Sequence, residues 1–367
     1  MKNTIVLFAF AILFSCQKSK VKEEIATSFY VGTYTQKESK GIYKYSLSSE
    51  GKLKKIGLVA EVLNPSFLTK SNDGKTLFAV GETDDNGTGF ISSYTITKDS
   101  LTLLKKQITG GANPCFVAIN DENYVLAANY SGGNVGLLKA TENGELSALL
   151  NVQQHVGKGT TDRQTTPHAH SAWFHPIRDE VISVDLGTNQ LWFSIIDTVK
   201  DELVFTNQKT LKMADGAGPR HLTFHPNNKW IYVLNELNNT VSLVKEKDDT
   251  YFVESSISTL PEDFTEFSGA ADIHIPKDGK FLYASNRGHE SIAIFKVNPE
   301  NGALTIVAYQ SVLGKHPRNF SFSPDEKFIL VANKDTDNIV SFKRDAKTGK
   351  LTFVSEVAVS LPVCVLF

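Results

Sequence analysis

His170, Arg220, Glu236, Arg287 and Arg318 are side chains in this sequence suited to chemistry on an oxygen-rich substrate. Guanidinium groups bind carboxylates and phosphates through paired N–H donors, an imidazole moves protons near neutral pH, and a carboxylate serves as a base or orients an arginine. The five are scattered over residues 170–318, so a common site requires a fold that gathers them. The stretch "GAGPRHLTFHPNNKWIYVLNEL", Gly216 to Leu237, suggests how. Arg220 precedes one apolar run, Glu236 follows the next, and a polar turn separates them. Two such runs read as a β-hairpin, whose outer ends meet at one edge.

The hairpin recurs. Second runs "TLFAVGE", "YVLAANY", "EVISVDL", "WIYVLNE", "FLYASNR" and "FILVANK" each follow a polar turn such as "SNDGK", "PNNK" or "SPDEK". Each leads into a third run ("GFISSYTI", "NVGLLKA", "QLWFSII", "TVSLVKE", "SIAIFKV", "NIVSFKR") and a weaker fourth. Four β-rich runs per unit of roughly 45 to 50 residues is the pattern of a propeller blade. First strands open near Pro65, Pro114, His170, Arg220, Ala271 and Arg318, giving six complete units. Residues Phe29 to Val62 hold strands two to four of another blade, and the C-terminal "LPVCVLF" reads as its missing first strand. The fold expected is an all-β, seven-bladed β-propeller whose first blade is closed by the C-terminal strand, leaving no exposed edge.

Equivalent positions of the blades can be compared with one another. Thr33, Gly81, Asn129, Asp185, Asn235, Asn286 and Asn333 end the second strands and read as structural turn-formers. The next column, Tyr34, Glu82, Tyr130, Leu186, Glu236, Arg287 and Lys334, shares no character. Neither does the column read as opening the first strands: Pro65, Pro114, His170, Arg220, Ala271, Arg318 and Pro362. First strands line the central channel, so His170, Arg220, Arg318, Glu236 and Arg287 are expected around one channel mouth. Three arginines against one glutamate make that mouth cationic and suited to an anionic, oxygen-rich small molecule.

The insertion His155 to Ala169 should lie over the same mouth and bring Arg163 and His168. Arg318, His168 and Tyr130 are expected to bind substrate at the same mouth. His168 and His170 share a strand face but have no obvious third ligand, so no metal site is assigned. His221 is expected on the strand face opposite Arg220, in a structural role. Plainer readings exist for the others: a rim histidine bonded to backbone for His170, and an interblade ion pair for Arg220 and Glu236. Cys115 and Cys364 fall in different blades and read as buried free thiols.

A formal net charge of -2 with interspersed signs offers no basic stripe for nucleic acid. At the N-terminus, Lys2 precedes the apolar run Ile5 to Phe14 and then Ser15-Cys16. Such a run is too short to span roughly 30 Å of hydrocarbon as a helix and reads as the core of an export signal. "LFSC" resembles the lipobox of bacterial lipoproteins, which implies lipidation at Cys16. A plain cleaved signal and an uncleaved anchor are the alternatives. The expected organisation is a signal over 1–16, a tether over 17–28 and the propeller over 29–367, in an exported, lipid-anchored monomer.

"YVGTYT", "NPSFLTKSNDGKTLFAV", "GPRHLTFHPNNKWIYVLNE", "ADIHIPKDGKFLYASNRG" and "HPRNFSFSPDEKFILVANK" resemble the seven-bladed lactonase family. That family contains the propeller-type 6-phosphogluconolactonase and the fungal carboxymuconate lactonizing enzyme, and the resemblance covers about residues 29–367. It implies a lactonase, a carboxylic-ester hydrolase acting on a small-molecule lactone without metal or organic cofactor. It also implies that the fungal enzyme's active-site His, Arg, Glu and Arg fall on His170, Arg220, Glu236 and Arg287. Either His170 or Glu236 would then be the general base. An export signal argues against a phosphorylated substrate made in the cytoplasm. A lactonising isomerase using the same four residues, and an exported propeller that binds a glycan or protein without turnover, are the other readings.

Overall fold

The computed structural model describes residues 26–367; the expected export signal, Cys16 and most of the expected tether lie outside the described residues. Seven four-stranded antiparallel sheets form the propeller, each ordered from the channel outward. Among the described residues the only helix is one 3-10 turn, Asp162–Gln164, inside the insertion before the fourth blade.

Six sheets are simple meanders, and one is shared by the two ends of the chain. Pro362–Leu366 pairs with Thr27–Thr33 through Tyr30↔Leu366, Val31↔Val365 and Gly32↔Cys364. The C-terminal strand therefore supplies the innermost strand of the first blade, as the repeat arithmetic requires. Cys115 and Cys364 are free and buried, also as expected.

The core lies between blades, because each second and third strand is apolar on both faces. At the closing seam Phe29, Val31 and Tyr45 of blade one pack on Phe328, Leu330 and Ala332 of blade seven. Each large side chain buried there contributes roughly 1.5–3 kcal/mol, so the two chain ends are joined by packing as well as by ladder bonds. Glycine in the turn between strands three and four permits the close approach of neighbouring blades. A Cβ on Gly302 would lie 2.6 Å from the Trp230 ring, and one on Gly51 2.3 Å from Phe328.

The turn-former column is structural. Asn129 Nδ2 donates to Thr109 O and Asn134 Oδ1, Asn286 Nδ2 to Thr259 O, and Asn333 Nδ2 to Val312 O. Asp185 accepts the backbone N–H groups of His168 and Thr188 and pairs with His155. These buried side chains satisfy the irregular backbone at the rim and so hold the loops that carry the site.

Candidate active site

The rim hairpins are clamped by backbone. In five blades the residue before a strand-opening proline (Asn64, Asn113, Gly218, His316, Leu361) has φ between 43° and 63°. Its carbonyl accepts the N–H of the residue after strand two, as in Glu236 N to Gly218 O at 2.7 Å and Glu82 N to Asn64 O at 3.0 Å. Both ends of each hairpin thus meet at one edge.

Strand pairing corrects the column read from sequence by one residue. Pro114 pairs with Asn129, Ala169 with Asp185, Pro219 with Asn235, Pro317 with Asn333 and Pro362 with Thr33, so proline or alanine occupies the opening position. Cys115, His170, Arg220 and Arg318 come next, each skipped by the ladder as a β-bulge. A bulge leaves one residue unpaired and re-aims its side chain, which is how these groups turn into the channel.

The bulge also overturns the placement of His221. Instead of turning away from Arg220, its ring lies 5.3 Å from that of His170, 5.8 Å from Phe116 and 5.9 Å from Phe67 of blade two, centroid to centroid. Side chains from several blades therefore meet beneath the mouth and close the channel. A cavity of about 10 Å³ remains, bordered by Ser66, Cys115, Arg220, His221, Arg318 and Asn319. The mouth is a cup with a floor.

Glu236 is the cup's electrostatic centre. Its Oε2 lies 2.9 Å from Arg287 Nη2 and 3.1 Å from Arg220 Nε, the latter an ion pair off the N–H axis. Its Oε1 lies 3.4 Å from Arg163 Nη2, which reaches in from the insertion and also donates to Tyr130 Oη at 3.0 Å. Arg287 is anchored by Nε to Gly269 O at 3.0 Å. Arg220 is only 2% exposed, and its Nη1 donates to Ala271 O.

His170 is buried beside this cluster, with Nδ1 3.7 Å from Cys115 Sγ. Tyr130 meets its ring edge-on at 5.5 Å and stacks on His168 at 4.4 Å. His168 Nδ1 is bonded to Tyr130 O, so the two histidines do not converge as a ligand pair. Among the described residues no group of three His, Cys, Asp or Glu is placed to hold a metal.

Burial, Arg220, His221 and Arg318 hold the His170 pKa well below the ordinary imidazole value, so the ring is neutral. Burial would raise the Glu236 carboxyl, but Arg287, Arg220 and Arg163 together hold it at about 2. Burial, with Arg287 and Arg318 nearby, lowers Arg220 to about 10, which leaves it charged at neutral pH. Burial pushes the Cys115 thiol up to about 12, leaving no thiolate nucleophile.

The mouth also holds a second carboxylate, against the sequence expectation of one. Glu82 Oε2 is 3.6 Å from Arg318 Nη2, and Tyr34 Oη donates to Glu82 at 3.0 Å. The Arg318 guanidinium lies 5.4 Å from the Tyr34 ring centroid. Glu82 and Tyr34 stand in the same column as Glu236, so their positions were readable although their pairing was not. With Arg163, Arg220, Arg287 and Arg318 facing Glu236 and Glu82, the mouth keeps a positive excess. A surface cavity of about 490 Å³ lies at the opposite ends of the strands near Asp121 and His175 and contains none of these groups.

Comparison with known proteins gives a consistent picture. Residues 28–367 match the family described as Lactonase, 7-bladed beta-propeller. The chain is 41% identical over 302 residues to the 6-phosphogluconolactonase of Bacillus subtilis, covering 80% of this chain and 84% of that protein. The 6-phosphogluconolactonase of Formosa agariphila is 34% identical over 310 residues, covering 80% and 86%. A solved periplasmic gluconolactonase of Pseudomonas aeruginosa superposes with a TM-score of 0.88 at 29% identity, covering 92% of this chain and 98% of that one.

Proposed function

The chain belongs to the seven-bladed β-propeller lactonase family, and we propose that it is an exported hydrolase of gluconolactone-type sugar lactones, acting at the cup around Glu236. The observation that carries this reading is a buried neutral imidazole beside arginines converging on one carboxylate, over a closed floor.

Arg287 and Arg163 hold the substrate's oxygen-rich face, with His168, Tyr130 and Arg318 lining the cup. Arg220 stabilises the oxyanion that develops when water attacks the lactone carbonyl, an effect worth roughly 3–4 kcal/mol for a well-placed donor. His170, neutral at working pH, accepts the proton of the attacking water. The imidazolium so formed is a strong acid, because its surroundings penalise the charge, and it returns the proton to the ring oxygen as the C–O bond breaks. Glu236, ionised, has its carboxylate oxygens engaged by three arginines and instead fixes them in place. The attacking water supplies the proton that His170 relays, and protein groups meet every charge in this route, so turnover should survive EDTA.

The relatives' names divide between phosphorylated and unphosphorylated gluconolactones. Export favours the unphosphorylated sugar, and the periplasmic neighbour is in keeping with that choice. The topology adds a further consequence. Thr27–Thr33 is a second strand that ends at the mouth, so the chain enters at the opposite face.

The test is hydrolysis of glucono-1,5-lactone and its 6-phosphate by the parent and Arg220→Ala. The reading expects arginine-dependent turnover of the unphosphorylated lactone. Turnover no faster than the spontaneous rate for either compound would reject it.

A further inference from the structure

Below the mouth lies a buried pair that the hydrolytic route leaves unused. Asp272 sits in the innermost strand of blade six and is 2% exposed. Its carboxylate accepts from His221 Nδ1 at 2.8 Å, His274 Nε2 at 3.0 Å and Asn319 Nδ2 at 2.6 Å. It also accepts the backbone N–H of Ile273 at 3.0 Å and of Phe320 at 3.2 Å. On its other side, His221 Nε2 is 3.3 Å from Arg220 Nη1.

We propose that Asp272 and His221 are positioning residues for Arg220, fixing the plane of its guanidinium in the orientation that lactone hydrolysis requires; the proposal rests on the lactonase reading above. Hydrogen-bond valence makes the case. An ionised carboxylate can only accept, so a neutral His221 must carry its proton on Nδ1. Guanidinium can only donate, so the facing Nε2 must present a lone pair. Both neighbours thus demand the same tautomer. The Arg220 Nη1 contacts to His221 Nε2 and Ala271 O, with Nε beside Glu236, hold the group on two edges and leave Nη2 unused by these contacts. A carboxylate–imidazole pair orienting a third group is the arrangement by which active sites fix a reacting side chain; here the oriented group is an arginine.

Asn319 links the same carboxylate to blade one, since its Oδ1 accepts the Val365 N–H at 2.7 Å. A merely structural role would therefore also be sensitive to mutation, and the test must separate the two. In His221→Gln the side-chain amide can still donate to Asp272 and accept from Arg220, whereas His221→Phe keeps volume but offers neither. For glucono-1,5-lactone we expect His221→Phe to lose about 30-fold or more in kcat with KM within about 3-fold, and His221→Gln to stay within about 5-fold of the parent. Parental kcat in a folded His221→Phe, or equal losses in both variants, would overturn the proposal. Nitrogen-15 spectra of the parent at pH 7 test the geometry without mutation. They should show His221 protonated on Nδ1 alone; protonation on Nε2 would overturn it. If the parent turns over no lactone, the functional reading fails, while the tautomer still decides whether the pair holds Arg220 as described.

Discussion

Replacing Glu236 by Gln removes the charge shared by Arg163, Arg220 and Arg287 while keeping the side-chain volume. The native carboxyl titrates at about 2 against an ordinary 4.5, a depression worth roughly 3 kcal/mol of folding free energy. Little solvent screening is available, since the Glu236 side chain is 9% exposed and that of Arg220 2%. Breaking one partner of such a buried pair generally costs about 3–5 kcal/mol, because the remaining charge is stranded. Arg220 shows the other side of this balance: its depressed pKa records burial and repulsion from Arg287 and Arg318, which Glu236 only partly offsets. Because the folded-state pKa of Glu236 lies below the unfolded one, its contribution is complete above about pH 4.5 and fades as pH falls toward 2. Urea unfolding should therefore find Glu236→Gln roughly 3 kcal/mol less stable at pH 7, and less than half as much at pH 3. A gap below about 1 kcal/mol at pH 7, or an equal gap at both pH values, would refute the argument and assign Glu236 to packing.

Replacing His170 by Gln should lower kcat on glucono-1,5-lactone by about 10²–10⁴ with little change in thermal stability, measured by steady-state kinetics and melting. Since the native His170 pKa lies well below the ordinary value, kcat should show no acid limb near pH 6.5; a limb there that vanishes in the variant would contradict a neutral His170. Arg220→Lys keeps the charge but loses the planar fork, and kcat should fall by about 10²-fold, a loss that a free ammonium in the assay does not restore. In Gly187→Ala the added Cβ would lie 1.9 Å from Thr166 O, so the insertion must shift. That shift should withdraw Arg163 and raise KM several-fold at a stability cost of about 1–3 kcal/mol. Deleting Leu361 to Phe367 removes the closing strand, exposes Val31 and Phe29, and should abolish the cooperative unfolding transition.

The ring, its seven blades and its closure were legible because repetition within one chain substitutes for comparison between chains. Each second run carries the same β-rich pattern and ends in a small or polar turn-former, so "LPVCVLF" could be recognised as an unpartnered first strand. The gathering of Arg220, Glu236 and Arg287 followed from the same geometry. The depth of the site did not follow, because a β-bulge leaves no mark in strand alternation. The sequence pattern aligns Pro114 with Arg220, whereas the ladder aligns Pro114 with Pro219 and leaves Arg220 as the extra residue. Strict alternation would send Arg220 and His221 to opposite faces. The bulge instead brings His221 into contact with Phe67 and Phe116 in the channel and places Asp272 behind it. Glu82 shows a related limit: its column placed it at the rim, but only the closed ring brings it to Arg318 and Tyr34. The bulge therefore joins fold to chemistry. The blade repeat carries Arg220 to the mouth, and one unpaired residue turns it inward, where Glu236 faces it from the rim and His221 supports it from below.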